Sequence, residues 1–314
     1  MPKVSIVIPA YMPGAYLRIA IDSLVEQSFK DWEAIVVDDG SEEHISRYLP
    51  KSENVKLIRL SRSGVSVARN VGILNSSSEF VALLDADDVW LPTKLQRQLQ
   101  TLEQNPNAAF CHTGFATIGP ELKARNHLRE NVESALNLNS SIPAVIRLAL
   151  QNICTSSILI RRQCLSSSGL FDPLLSHSED YDLYLRLLLH YEFTYVPSIQ
   201  VLYRQHSMNT SANYQLSLAQ GRRVFSRYRR FARMTGNADL DKSARLLFER
   251  LRTICGARAF DHCREDFRRR EFFPCAKRLF ESALIKPTYV AESLFKYVVG
   301  TKARLREEHH GAPR

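Results

Sequence analysis

The sequence has 314 residues, of which 45% are hydrophobic and 24% charged, with a formal net charge of +9. This is the composition of a globular protein with ample length for a core, and it excludes a disordered chain, a collagen-like repeat and a small disulfide scaffold. No apolar run reaches the ~18 residues that a membrane-spanning helix needs.

In chain order, residues 4–9 form an apolar, β-branched run that contains Pro9 and lacks a small-residue cleavage site. It reads as a first strand and not as a leader peptide. Residues 15–27 follow with Leu17, Ala20, Ile21, Leu24 and Val25 at helical spacing. Residues 32–37 predict a second strand that ends in Asp38-Asp39-Gly40-Ser41, with Ser41 as N-cap of a short helix bearing Glu42 and Glu43 in its first turn. A third strand is expected over 55–60 and a helix over 65–74, entered through Ser63-Gly64. Residues 80–84 predict a fourth strand ending in Asp85-Ala86-Asp87-Asp88, and Pro92 opens a helix to about residue 105. Further on, strands are expected over 108–115, 155–160, 193–196 and 199–203, and helices over 142–150 and 179–190. From about residue 216 the pattern is helical throughout.

This alternation predicts an α/β fold: βαβ units forming a mostly parallel, Rossmann-like sheet with helices on both faces, followed by a C-terminal helical region. Ligands bind beyond the carboxyl ends of such strands, which directs attention to Ala10-Tyr11, Asp38-Asp39 and residues 85–88. None of these segments carries a glycine-rich dinucleotide or P-loop pattern.

The segment FVALLDADD (residues 80–88) delivers three carboxylates into one turn, where their repulsion is costly unless a cation sits among them. Hard carboxylate oxygens favour Mg²⁺ or Mn²⁺. Taken by itself, the turn is equally readable as a polar loop in which Asp88 or Thr93 caps the next helix. Asp39 can accept from a base or a sugar hydroxyl, with Gly40 permitting close backbone approach; a plain turn would use the same residues. Ser178-Glu179-Asp180 opens a helix, where an aspartate is favoured in its ionised form and suits a general base, or simply serves as a first-turn acid. Arg204 and His206, followed by Asn209-Thr210-Ser211, could close over a diphosphate, or be ordinary strand-end residues.

Together, VSIVIPAY (4–11), VVDDGS (36–41), GVSVARNVG (64–72), LLDADD (83–88), SEDYDL (178–183) and Tyr203-Arg-Gln-His206 resemble, in that order, the family 2 inverting glycosyltransferases of the GT-A fold. The resemblance spans about residues 3–211. It implies a catalytic domain over 1–211, and the shift to basic composition near residue 211 marks off a mainly helical region over 212–314. It implies that Pro9, Ala10, Tyr11, Asp39, Arg69, Asp85 and Ala86 line the nucleotide, with Tyr11 stacking on the base. Asp87 and His206 would hold the divalent cation, Mg²⁺ or Mn²⁺, with Asp88, Glu179 and Arg204 in support. Asp180 would be the catalytic base. The implied partners are a nucleotide-sugar donor, most commonly a UDP-sugar, and a glycan or lipid-linked acceptor in surface polysaccharide or lipopolysaccharide assembly. The Gln-x-x-Arg-Trp motif of processive synthases is missing, since Trp32 and Trp90 are the only tryptophans and neither follows an arginine, so non-processive transfer is expected.

Charge is distributed unevenly: residues 211–314 hold 23 Lys and Arg against 11 Asp and Glu, a net of +12, whereas residues 1–210 hold 19 against 22, a net of −3. A basic region seeks an anionic surface or merely keeps a helical bundle soluble. Residues 284–299, with Tyr289, Leu294, Phe295, Tyr297, Lys286 and Lys296, are expected to lie on an anionic membrane or to pack on the catalytic domain. Six cysteines without a CxxC spacing point to a reducing setting, and the expected location is cytoplasmic, peripheral at the inner membrane face. Two other readings compete. A metal-dependent nucleotidyltransferase would need a basic loop at 9–16, where there is no Lys or Arg; a nucleic-acid-binding protein would leave the acidic strand ends unexplained.

Overall fold

The computed structural model of the chain describes residues 1–121, 142–206, 208–209, 212–291 and 293. These divide into two units, one from Met1–Asn209 with Phe231–Ser243, the other from the described residues within Thr210–Arg230 and Ala244–Arg314.

The first unit is built on a sheet with eight strands among the described residues: β1 (Val4–Ala10), β2 (Trp32–Asp38), β3 (Val55–Arg59), β4 (Phe80–Leu83), β5 (Val89–Trp90), β6 (Ala108–Ile118), β7 (Leu159–Arg161) and β8 (Glu192–Arg204). Their order across the sheet is β3-β2-β1-β4-β7-β6-β8-β5. The first four run parallel, with Ile6 opposite both Ala34 and Ala82. β7 is antiparallel to β4 and β6, β8 is parallel to β6, and β5 is antiparallel to β8. This is a mixed, mostly parallel sheet.

The central strands read as unbroken apolar runs because both their faces are covered. On one face Ile6, Ile8, Ala34 and Val36 pack with Leu17, Ala20, Ile21 and Leu24 of α1 (Tyr16–Val25) and with Leu95, Leu99 and Leu102 of α3 (Lys94–Gln104). On the other, Ile35 and Val37 meet Ala68 of α2 (Val65–Leu74). Each buried Val, Leu or Ile side chain contributes about 1.5–3 kcal/mol by leaving water. Gly72 lets α2 close on β1: a Cβ there would stand 2.4 Å from Val7 Cγ1.

The remaining elements of this unit are α4 (Ala144–Leu150), α5 (Arg162–Ser168) and α6 (Glu179–Leu187). Three local expectations differ from the structure, and one strand, β5, was not expected. Ser41 caps no helix; its hydroxyl accepts from the Met12 backbone N–H at 2.9 Å, tying the β1 and β2 loops together, and the next element is a 3-10 helix at Ile45–Tyr48. The 155–160 strand is instead a 3-10 turn, Thr155–Ser157, followed by β7; serine hydroxyls that bond locally, as Ser157 does to the Cys154 carbonyl at 2.6 Å, compete with strand pairing. The strands expected at 193–196 and 199–203 are one strand, β8, whose register slips between Val196 and Ile199, so that Pro197 falls where no ladder donor is required. The two-residue β5 before α3 is too short to show a period.

The C-terminal region is helical as expected, with α7 (Tyr214–Thr235), α8 (Ala238–Arg268) and α9 (Phe272–Ile285). Of the segment expected at 284–299, Leu294, Phe295, Lys296, Tyr297 and Val298 lie outside the described residues. No described helix is long and apolar enough to cross a membrane.

Candidate active site

Because β1, β2 and β4 are parallel neighbours, their carboxyl ends share one edge, and the three segments singled out in the sequence meet there. Asp39 donates its backbone N–H to the Ala10 carbonyl at 2.8 Å, which seats the loop after β2 against Pro9 and Ala10. The Asp39 carboxylate is buried and accepts from the backbone N–H groups of Ser63 (2.6 Å) and Gly64 (3.0 Å) and from Arg62 Nη1 (2.8 Å). The same Arg62 guanidinium lies 3.3 Å from the centre of the half-exposed Tyr11 ring. Tyr11 and Asp39 therefore form a pair joined by a flat cation, Arg62, which sequence reasoning missed; its only signal was its place just before Ser63-Gly64. Gly40 is required here: its φ is +79°, and a Cβ would stand 2.7 Å from the Arg62 nitrogen.

Arg69 is the centre of the next group. Projecting from α2, it is buried and donates Nη1 to Glu179 (2.7 Å) and Nη2 to Asp85 (2.8 Å), while its Nε has no hydrogen-bond partner among the described residues. Burial works against its charge, but the two carboxylates hold its pKa above the ordinary arginine value. The helix also fixes what it reaches: the Asn70 side chain grips the Phe171 backbone at 2.8 and 2.9 Å, and the Ser66 hydroxyl donates to the Leu175 carbonyl. In this way α2 delivers the segment that ends in Glu179 and Asp180 to the strand edge.

The turn after β4 is braced from below. The buried Ser156 hydroxyl accepts from the Asp85 backbone N–H (3.0 Å) and donates to Asp88 Oδ2 (2.5 Å), and Asp88 Oδ1 accepts from the Arg204 backbone N–H (2.9 Å). Burial raises the Asp88 carboxyl well above the usual range, and the charges of Asp87 and Asp85 push the same way. With both oxygens engaged inside the protein, Asp88 acts as a brace. Thr93, at the start of α3, bonds Gln200 rather than capping the helix. Ala86 is buried beneath the turn.

Arg204 is also buried, donating Nε to the Asp87 carbonyl (2.8 Å) and Nη1 to the Pro120 carbonyl (2.8 Å), with its guanidinium over Tyr16. That leaves the Asp87 carboxylate facing His206 Nε2 at 2.9 Å and Asn209 Nδ2 at 3.3 Å. The His206 ring stacks on Tyr16 at 5.1 Å. Thr210 and Ser211 lie outside the described residues.

Asp180 stands in the first turn of α6, which starts from Ser178 in the left-handed region at φ +59°. Its Oδ1 accepts from the Tyr181 N–H (2.8 Å) and its Oδ2 faces the Thr155 hydroxyl (3.4 Å). Burial raises its pKa to about 7, with the Glu179 charge adding, while the Tyr181 N–H and Arg69 oppose the shift. A carboxyl poised there can exchange a proton near neutral pH. Thr155 and Ser156 are adjacent in one 3-10 turn, so a single turn touches both Asp180 and the acidic turn after β4. Sequence reasoning placed this turn in a strand and missed its role.

Among the described residues no group of three or more His, Cys, Asp or Glu side chains forms a ready-made cage. Asp87 and His206 make a two-residue oxygen–imidazole set beside Asp85, and carboxylates outnumber cationic side chains at this edge. Mg²⁺ is characteristically held by one or two carboxylates together with substrate phosphates, so the residues fit.

Comparison with known proteins follows the same lines. The sequence profile of glycosyl transferase family 2 matches residues 5–168. An uncharacterized glycosyltransferase of Rickettsia felis is 28% identical over 210 residues, covering 66% of this chain and 35% of that protein. A putative teichuronic acid biosynthesis glycosyltransferase, TuaG, of Bacillus subtilis is 32% identical over 125 residues, covering 38% of this chain and 49% of that protein. The chain thus spans about a third to a half of the length of these relatives. The crystal structure of S. aureus TarS 1–349 in complex with UDP-GlcNAc superposes with a TM-score of 0.57 at 17% identity, over 92% of this chain and 82% of that one. That likeness is one of fold.

Proposed function

The chain belongs to glycosyl transferase family 2, and from that premise we propose that it is a non-processive, inverting glycosyltransferase. It moves a sugar from a nucleoside-diphosphate donor, most simply a UDP-sugar, to a hydroxyl of a glycan or lipid-linked acceptor in cell-surface polysaccharide assembly. The UDP-GlcNAc bound to the TarS fold neighbour and the putative role of TuaG in teichuronic acid biosynthesis suggest the donor and pathway classes. The observation that carries the reading is the Arg69 bridge: one buried guanidinium holds Asp85 at the end of β4 and Glu179 beside Asp180.

The geometry supports the following division of labour. Tyr11 and Asp39 receive the base and ribose, at a position now closed by Arg62. Arg69 and Asp85 order the sugar–phosphate side. A Mg²⁺ or Mn²⁺ ion held by Asp87 and His206 would neutralise charge that grows on the departing diphosphate. Asp180, ionised above its raised pKa, takes the proton from the acceptor hydroxyl as that oxygen bonds to the anomeric carbon. Attack from the side opposite the diphosphate inverts the configuration.

The test is thermal unfolding with a panel of nucleoside diphosphates, each with and without Mn²⁺. A ligand at about a hundred times its dissociation constant adds roughly 2.7 kcal/mol. A gain with one nucleotide that depends on metal, and that Asp87→Ala removes, supports the reading. A folded sample that responds to no nucleotide overturns it.

A further inference from the structure

Helix α9 in the second unit turns its apolar side to solvent. Its inner side is fastened to α8: the Ser282 hydroxyl donates to the Gly256 carbonyl at 2.8 Å, Arg278 pairs with Asp266 at 3.1 Å, and Cys275 Sγ lies 2.9 Å from Cys263 Sγ. On the opposite side, residues 273, 277, 280 and 284 line up at helical spacing. There Phe273 is 85% exposed, Phe280 65% and Leu284 64%. A contiguous exposed apolar stripe of this kind marks an interaction surface.

The charges around the stripe indicate what it meets. Arg268, Arg269 and Arg270 are exposed in the turn that leads into α9, between the exposed rings of Phe267 and Phe272, and Lys277 is exposed within the stripe itself. Glu271 is the one acid from residue 268 to 277. Aromatic rings in a row with long basic side chains at the edge suit a boundary where rings enter an apolar layer and cations remain with phosphates.

We propose that the α8–α9 hairpin docks on an anionic phospholipid bilayer. Phe273, Phe280 and Leu284 enter the headgroup boundary, and Arg268, Arg269, Arg270 and Lys277 engage lipid phosphates. This contact shares only Leu284 with the segment expected at residues 284–299, and it does not depend on sugar transfer.

The experiment uses the full chain in sedimentation with phosphatidylcholine vesicles and with the same vesicles containing phosphatidylglycerol. Phe280→Trp supplies a reporter, because the native Trp32 and Trp90 are both buried. The expected result is binding to the anionic vesicles alone, with a blue shift of the new tryptophan. Phe273→Glu with Phe280→Glu should lower partitioning at least tenfold with unfolding temperature unchanged. The triple variant Arg268→Gln, Arg269→Gln, Arg270→Gln should lower it by about 100-fold, at roughly 1 kcal/mol per cation near the surface. Three results overturn the proposal: no binding of the intact chain, wild-type binding by the Phe273→Glu/Phe280→Glu variant, or a self-associated chain that this variant converts to monomer.

Discussion

Replacing Asp180 by Asn should inactivate the protein and stabilise it, and the stabilisation should depend on pH. The Asp180 carboxyl is raised from an ordinary 3.8 to about 7 by burial and by the Glu179 charge. Between those values the folded state holds a proton that the unfolded chain releases, so the wild-type protein loses stability as pH rises through this window. At about 1.36 kcal/mol per pH unit, roughly three units give a ceiling near 4 kcal/mol. Partial exposure of the side chain and relaxation of its neighbours reduce this to about 1–3 kcal/mol, or several degrees in unfolding temperature for a unit of this size. Asn keeps the shape and can still accept from the Tyr181 N–H, so little else changes. Differential scanning fluorimetry of both proteins from about pH 5 to 8 reads the difference directly. It should grow up to about pH 7 and then level off. A difference that is flat across this range, or that shrinks as pH rises, would refute the raised proton affinity assigned to Asp180.

Four further outcomes are expected. Transfer rate should climb with pH up to about 7 and then plateau, because Asp180 must be ionised to accept the acceptor's proton; a rate that falls over that interval would remove it from the role. Arg69→Ala leaves the buried Glu179 and the half-buried Asp85 without a counter-charge and should cost about 2–4 kcal/mol in urea unfolding, with Arg69→Lys only a partial rescue because one ammonium lacks the planar fork that spans both carboxylates. Ser156→Ala removes the donor to Asp88 and should cost about 1–3 kcal/mol, together with a weakened metal-dependent nucleotide response in fluorimetry. Ser178→Gly relieves a left-handed serine and should raise stability by about 0.5–1 kcal/mol, measured as a higher unfolding midpoint.

The strand–helix alternation was legible because hydrophobic period and β-branching are local signals, and β1 to β4 with α1 and α2 lie within a residue or two of their expected places. The acidic turn after β4, Asp39, Arg69, Asp180 and His206 were legible as well. They sit past strand ends, within α2 and at a helix start, and topology brings them to one edge. What each does there was settled by neighbours distant in sequence. Asp87 and Asp88 are adjacent and chemically identical, yet Asp88 is bound inward by Ser156 and Arg204 while Asp87 faces His206. Nothing local separates them, because the difference comes from a turn some seventy residues later and a strand end more than a hundred residues later. The same holds for Arg62, whose guanidinium meets Tyr11 and Asp39 only once β1 and β2 lie side by side. The apolar outer stripe of α9 followed the rule in reverse: sequence spacing shows an apolar face, and only the packing of Cys275, Arg278 and Ser282 against α8 decides that this face is turned outward. Sequence fixes which groups are available and the period at which they recur. Charge, proton affinity and exposure at a site arise from burial and opposition between distant segments, which only the folded chain creates.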